Sequence, residues 1–361
     1  MKPIKKLILV LQIGLFVAFS FGQTASYLPP KLTNPDSWSM ILVPDVQSYV
    51  KFERNHGVLE MMTGWVAEQI VPLNIQMVLG TGDLVEQNNW LSPDGKRANQ
   101  ASPQQWKAVS RAFERLDAKV PYLNATGNHD YGIKSVENRK TYYDDFFPVD
   151  RNFMAQRLLC EAGFNADNQP SLVNAAYTFR SPHNDNFLFL VLEFAPRDET
   201  IEWAKKIIED KKYKDYRVVL LTHSYLNSKS EHIIKENYPL ENGNYGRAVF
   251  EKLVQPSSNI ELVFSGHIGK PDDFEGHVGY RTDKNSAGRT VHQMTFNAQA
   301  LGGGWHGNGG DGWLRWMEFM PDKRTVKVKT FSPLFAISPT TQQFAWERAS
   351  YNEFEFQLDP K

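Results

Sequence analysis

Apolar and polar positions along the 361-residue chain fall into two alternating kinds of segment. Short apolar runs stand at Met40-Ile41-Leu42-Val43, Ile75 to Leu79, Val120 to Leu123, Phe187 to Leu192, Arg217 to Leu221 and Ile260 to Phe264. Runs this short and this continuous predict strands buried on both faces. Between them the apolar residues recur at helical spacing. Val58, Leu59, Met62, Val66 and Ile70 form one stripe, and Trp106, Val109, Phe113 and Leu116 form a second. Ser102-Pro103 opens the second as a cap and a first-turn proline. A third helix is expected near Ile201 to Ile208. This strand–helix alternation predicts an α/β protein with a largely parallel sheet.

The last third reads differently. From Gly276 onward Gly, Thr and aromatic residues become frequent, and Trp313 to Met320 and Thr325 to Phe331 alternate around the turn Pro321-Asp322-Lys323-Arg324. That pattern predicts a hairpin and a second, mostly antiparallel sheet. No linker or internal repeat sets this part off. Residues 23–361 are therefore read as one domain, with catalytic motifs in 40–269 and a β-rich part in 270–361.

Residues 1–22 form a separate object. Lys2, Lys5 and Lys6 precede an apolar run from Leu7 to Phe19, and Ser20-Phe21-Gly22 offers small residues at a cleavage site. This predicts a secretory signal peptide, too short for a good membrane span, and a periplasmic or secreted mature protein with no transmembrane segment. Removing its three lysines takes the net charge from -1 to -4. The remaining chain has no basic surplus, which argues against dedicated nucleic-acid binding. One cysteine, Cys160, rules out an internal disulfide and is expected to be a small buried side chain.

Candidate chemistry lies just beyond the apolar runs. Val43 leads to Asp45 and Gln47, Leu79 to Gly82-Asp83, and Leu123 to Gly127-Asn128-His129-Asp130. Leu221 leads to His223, and Phe264 to Gly266-His267. Five strands each end in a residue type that binds metals. In parallel α/β sheets such ends converge on one crevice.

In this order and spacing the motifs resemble the signature of the calcineurin-like metallophosphoesterases, from Met40 to His267. The Pro44-Asp45-Val46-Gln47 start and the run Gly312-Trp313-Leu314-Arg315 resemble a bacterial exported branch of that superfamily. The resemblance implies two facing β-sheets flanked by helices, the four-layer αββα metallophosphoesterase sandwich. It implies two divalent metal ions drawn from Mn, Zn, Fe or Mg, and hydrolysis of a phosphomonoester or phosphodiester by a hydroxide held between them. Asp83 would bridge the ions, Asp45 and Gln47 would serve the first, and Asn128, His223 and His267 the second. His129 would be the general acid, oriented by Asp130. The substrate would be a small-molecule, glycan or nucleotide phosphoester.

Two positions depart from the family pattern. Gln47 and Gly269 stand where the family has histidines, and both histidines would serve the first metal. The first site becomes oxygen-rich, suited to Mg, Mn or Ca or weak in its binding, while the second keeps two imidazoles and suits Zn, Mn or Fe. His277, His292 and His306 are the histidines available to replace the lost ligand. The glycine-rich run Gly302 to Gly310 reads as a flexible loop, with Trp305 and His306 as substrate contacts if it forms a lid; Trp90 is a second aromatic candidate. The Leu84-Val85-Glu86 stretch, where a tyrosine would be expected, argues against the purple acid phosphatase branch. The missing imidazoles keep open a non-catalytic binding scaffold, and a pyrophosphate-linkage hydrolase is a further alternative.

Overall fold

The computed structural model describes residues 27–361; the predicted signal peptide lies outside the described residues. Each predicted apolar run forms a strand. The first three, β1 (Trp38–Val43), β2 (Ile75–Gly80) and β3 (Tyr122–Asn124), pair in parallel. A second sheet holds β4 (Leu159–Phe164), β5 (Pro170–Arg180), β6 (Asn186–Val191), β7 (Arg217–Leu221), β8 (Ile260–Ser265), β9 (Val278–Lys284) and β10 (Thr290–Phe296). Its order is β4-β5-β6-β7-β8-β10-β9, parallel from β6 to β10 and antiparallel at both edges. The chain then returns to the first sheet with β11 (Leu314–Phe319), β12 (Thr325–Phe331), β13 (Trp346–Glu347) and β14 (Phe354–Gln357).

The C-terminal part thus makes no sheet of its own, contrary to the expectation from sequence. It adds β10, parallel to β8, and the antiparallel β9 to one sheet and four antiparallel strands to the other, where β11 lies directly against β1, pairing Met40 with Met317. The predicted hairpin is present as β11–β12, with Leu314 opposite Phe331 and Phe319 opposite Val326.

Both sheets are covered on both faces, which is why their central strands read as unbroken apolar runs. Met40 and Leu42 of β1 point between the sheets and meet Phe187, Phe189, Leu262 and Phe264. Ile41 and Val43 point the other way, toward Leu59, Met62 and Val66 of α1 (His56–Gln69) and Val109 and Phe113 of α2 (Ser102–Glu114). On the far side, Leu188, Leu190, Val218 and Leu220 pack on Ile201, Ala204 and Ile208 of α3 (Asp198–Ile208). They also meet Val249 and Leu253 of α4 (Gly246–Val249, continued by a wider turn over Phe250–Val254). The result is helices, sheet, sheet, helices. Each fully buried Leu or Phe in these layers contributes roughly 1.5–3 kcal/mol.

Two local expectations change. The α2 cap is Ala101, whose N–H donates to the Gln104 side chain at 2.8 Å; the Ser102 hydroxyl instead serves the Trp90 backbone. Cys160 is exposed, because it lies on the edge strand β4, which has no partner on its outer side among the described residues.

Candidate metal centre

The five strand ends meet. Asp45 follows β1, Asp83 follows β2, Asn128 follows β3, His223 follows β7 and His267 follows β8. Both sheets turn their carboxyl ends toward one place, so the site spans the sheet–sheet seam. Close approach is made possible by missing side chains. A Cβ on Gly127 would collide with Asp83 Oδ1. Gly82, at φ +108, would place one 2.7 Å from His223 Nδ1. Asp83 and His267 themselves adopt left-handed backbone conformations, φ 49 and 79. Such conformations cost of order 1–3 kcal/mol each and cluster at functional sites. Here the Val46 and Gln47 N–H groups donate to the Asp83 carbonyl and hold it in place.

One half of the cluster is rich in nitrogen. His223 Nδ1 lies 2.8 Å from the Thr81 carbonyl, to which it donates. In the neutral ring Nε2 is therefore the lone-pair nitrogen, and it lies 3.3 Å from Asp83 Oδ2. His267 Nε2 donates to Glu236 at 2.9 Å, and Glu236 also accepts from the Ser224 hydroxyl at 2.8 Å. That leaves His267 Nδ1 as the acceptor, 3.0 Å from Asn128 Oδ1 and 3.2 Å from His223 Nε2. The Asn128 amide nitrogen donates away, to Ser135 at 2.9 Å, which turns its oxygen inward. Two lone-pair nitrogens, an amide oxygen and a carboxylate oxygen thus point at one another. Such an arrangement repels itself unless a positive charge sits within it. Burial pushes the His223 pKa down, yet the Asp83 and Asp45 carboxylates outweigh it and raise it to about 10. A proton on His223 can supply that positive charge, and Asp83, His223 and His267 could hold a metal cation in its place.

The other half is made of carboxylates and amides. Asp45 is fully buried, and burial holds its carboxyl above the usual range. Its Oδ1 accepts from Thr81 at 2.7 Å. Its Oδ2 accepts from the His267 N–H at 2.9 Å, Asn297 Nδ2 at 2.7 Å and Gln299 Nε2 at 3.3 Å. Gln47 Nε2 donates to Asp83 Oδ2 at 3.0 Å and to Gln299 Oε1. Gln47 Oε1 is buried without a donor. A buried amide oxygen beside two carboxylates fits a hard cation, which would use it.

All the predicted ligands are therefore in one cluster, and the structure adds Asn297, Gln299 and Glu236. Of the three replacement histidines, none reaches it. His277 is buried with Nδ1 2.8 Å from the Asp273 carbonyl and Nε2 accepting from Ala300 N–H at 3.2 Å. His292 spends its nitrogens on Tyr280 and the Gln357 carbonyl. The His306 ring lies edge-on to Phe52.

His129 flanks the cluster. Its N–H donates to Asp83 Oδ1 at 2.9 Å, and its Nδ1 lies 2.7 Å from the Glu86 carbonyl. Donation there leaves Nε2 free. Burial opposes a charged ring, but Asp83 and Glu86 raise the His129 pKa. Asp130 does not orient His129 by a hydrogen bond, which corrects the expectation from the motif. Its two oxygens accept from the Val85 and Gly127 N–H groups at 3.1 and 2.8 Å, so it fastens the Asp83 and Asn128 loops to each other. Backbone donors in and beside the short turn occupy the carboxylate, and the Glu86 carbonyl takes the orienting place.

Beside His267 an open cleft of about 1010 Å³ runs outward, lined among others by Lys235, Glu236, Arg247, Lys270, Arg281 and Trp305. The glycine-rich run is pinned rather than loose. The Asp272 carboxylate accepts from the Gly303 and Gly304 N–H groups at 2.8 and 3.2 Å, and Arg54 and Asn55 donate to the His306 and Gly307 carbonyls. Trp305 is 39% exposed and forms part of the cleft wall. Trp90 lies under the Lys134 ammonium, 3.8 Å from its ring centre, outside that wall.

Comparison with known proteins gives the family and the fold. The family model for calcineurin-like phosphoesterases matches residues 45–271. The chain belongs to that family. Its members are phosphoesterases, and membership supports a metal-dependent phosphoester hydrolase in general terms. Bacillus subtilis (strain 168) YvnB is 27% identical over 306 residues, covering 82% of this chain and 20% of its own length. The chain thus spans about a fifth of that relative. A dimetal phosphatase from Danio rerio has a similar fold, with a TM-score of 0.50 at 12% identity, over 89% of this chain and 99% of that one. A yellow lupin (Lupinus luteus) purple acid phosphatase gives a TM-score of 0.46 at 11% identity, over 90% of this chain and 54% of that one. In the calcineurin-like phosphoesterase described here, no helix among the described residues is long and apolar enough to cross a membrane.

Proposed function

We propose that this chain hydrolyses phosphoric esters with a pair of divalent cations bound across the seam. The observation that carries the proposal is the inward facing of His223 Nε2, His267 Nδ1, Asn128 Oδ1 and Asp83 Oδ2, each turned there by a hydrogen bond on its far side or by its own loop. Asp83, Asn128, His223 and His267 would hold one cation; Asp45, Gln47 and Asp83 would hold the other. When bound, the pair would withdraw charge from the phosphoryl oxygens and make water acidic at neutral pH.

The protein's own groups do the rest. His129, fixed through Nδ1 by the Glu86 carbonyl, presents Nε2 to the leaving oxygen and gives it a proton. Asp130 holds the Asp83 and Asn128 loops at the spacing the cluster needs. The cleft beside His267 is far larger than a phosphate; its lysines and arginines suit the anionic charge of an ester and Trp305 its organic part. A phosphodiester with an aromatic or sugar group would set that group against Trp305. The alternative of a binding scaffold without turnover is disfavoured by the free Nε2 of His129. A protein from which an N-terminal signal has been removed would work outside the cytoplasm.

The test is a screen of phosphomonoesters, phosphodiesters and nucleotide pyrophosphates with added Mn, run beside His129→Ala. Hydrolysis by the natural protein and its loss in the variant are expected. No hydrolysis of any class, with cations bound, would leave only the scaffold reading.

A further inference from the structure

The loss of a histidine at Gly269 leaves the first cation site one donor short, and the geometry points to Gln299 as its replacement. It rests on the phosphoesterase reading only in supposing that a cation belongs between Asp45 and Asp83.

The original position cannot be refilled where it was. A Cβ on Gly269 would already lie 3.0 Å from Trp305 Cη2 and 3.1 Å from His277 Nε2. Those two rings occupy the space an imidazole would need. His277 itself is committed on both nitrogens. A donor must therefore arrive from another strand end. The sixth strand to deliver one is β10, which pairs in parallel with β8, so its carboxyl end lies beside that of β8 and His267.

Asn297-Ala298-Gln299 leaves β10 as a tight turn. The Asn297 side chain closes it, with Oδ1 accepting from the Ala298 and Gln299 N–H groups at 2.7 and 3.1 Å. The same Asn297 donates Nδ2 to Asp45 Oδ2 at 2.7 Å, which ties the turn to the site. Gln299 is 5% exposed and sends its amide into the cluster. Its Nε2 is 3.3 Å from Asp45 Oδ2 and 3.2 Å from the His267 carbonyl, and its Oε1 accepts from Gln47 Nε2. A continuous chain results: Asp83, Gln47, Gln299, Asp45. Two amide groups thus bridge the two carboxylates, and their N–H dipoles supply the positive charge between them.

A cation between the same carboxylates would need the amide oxygens instead. Gln47 Oε1 is already buried without a donor, and Gln299 needs only to turn its terminal amide. The completed site would be Asp45, Asp83, Gln47 and Gln299, oxygen throughout, of the class that suits Mg or Mn above Zn. Asn297 is a positioning residue for it.

The test is titration of the metal-stripped full chain with Mn(II), following free Mn(II) by electron paramagnetic resonance. The natural protein should show a tight and a weak class of site. Gln299→Ala should weaken the weak class by at least roughly tenfold and leave the tight class alone, while His267→Ala should do the reverse. Gln299→Glu keeps the shape and adds a charge, so it should strengthen the weak class even if Gln299→Ala folds poorly. Weak-class binding unchanged in Gln299→Glu, or unchanged in a well-folded Gln299→Ala, would overturn the assignment. Failure of the natural protein to hydrolyse any phosphoester would defeat the catalytic reading while leaving this binding result standing.

Discussion

The two halves of the cluster share Asp83 and otherwise have little in common. Around His223 and His267, each donor is a lone pair turned inward by an anchor behind it: the Thr81 carbonyl, Glu236, Ser135. Around Asp45, the donors are amides that satisfy the carboxylates directly, through Gln47, Asn297 and Gln299. The nitrogen-rich half needs a positive charge, a cation or a proton on His223, whereas the carboxylates of the half around Asp45 are already met by N–H dipoles. A cation entering the second half must displace hydrogen bonds worth roughly 1.5–3 kcal/mol each to charged groups. With two cations bound as proposed, the nitrogen-rich half would hold its ion tightly and the half around Asp45 weakly. Asn297 and Gln299, just beyond β10, fill the space beside Asp45 with amide groups.

Breaking the nitrogen-rich half should do the most damage. His223→Ala is expected to abolish tight metal binding and lower kcat/KM by at least about a thousandfold, as seen by metal analysis beside kinetics. Next comes His129→Ala. It should cost about 10²–10⁴ in kcat for an alkoxide leaving group and much less for a nitrophenolate, which needs no proton, with metal content unchanged. An equal loss for both leaving groups would show that His129 is not the acid. Glu236→Ala removes the anchor behind His267 and should weaken the tight site by roughly 10–100-fold, with a smaller loss for Glu236→Gln. Gln47→His sharpens the contrast in the other direction. An imidazole there should raise Zn affinity at the first site by roughly tenfold while leaving Mg affinity no better. The smallest effect belongs to Trp305→Ala, which should raise KM for an aromatic diester by about threefold, worth roughly 0.6 kcal/mol, at unchanged metal content. Unchanged kinetics would remove Trp305 from the substrate wall.

Much of this is legible in the chain. Strands covered on both faces read as apolar runs, and the polar residues just beyond the end of each run stand where a site would form. Asp45, Asp83, Asn128, His223 and His267 come into view that way, whereas Gln47 and the departure at Gly269 stand out only against the family pattern. Gln299 stays hidden for a physical reason: its strand, β10, carries His292, Gln293 and Thr295 in its buried interior. Gln293 takes the Tyr225 hydroxyl at 2.6 Å and faces His232 Nε2 at 2.8 Å. Polar residues satisfied inside a core break the apolar run that marks a strand, and the strand end is lost with it. Glu236 comes from a loop with no periodicity, and only its contact with His267 reveals it. Asp130 misleads because adjacency to His129 in the chain suggests a contact, whereas the short turn spends that carboxylate on backbone donors. The destination of the last third is equally hidden, since the alternation that marks β11 and β12 says nothing of which sheet they join.

The inequality of the two halves is the centre of the account, and metal content measures it directly. The protein would be saturated with Mn, dialysed exhaustively against metal-free buffer and analysed for bound ion and for phosphodiester hydrolysis, then resupplied with Mn. One ion per chain retained, with hydrolysis lost on dialysis and restored as a second ion returns, is the predicted result. Two ions held equally through dialysis, or none held at all, would contradict it.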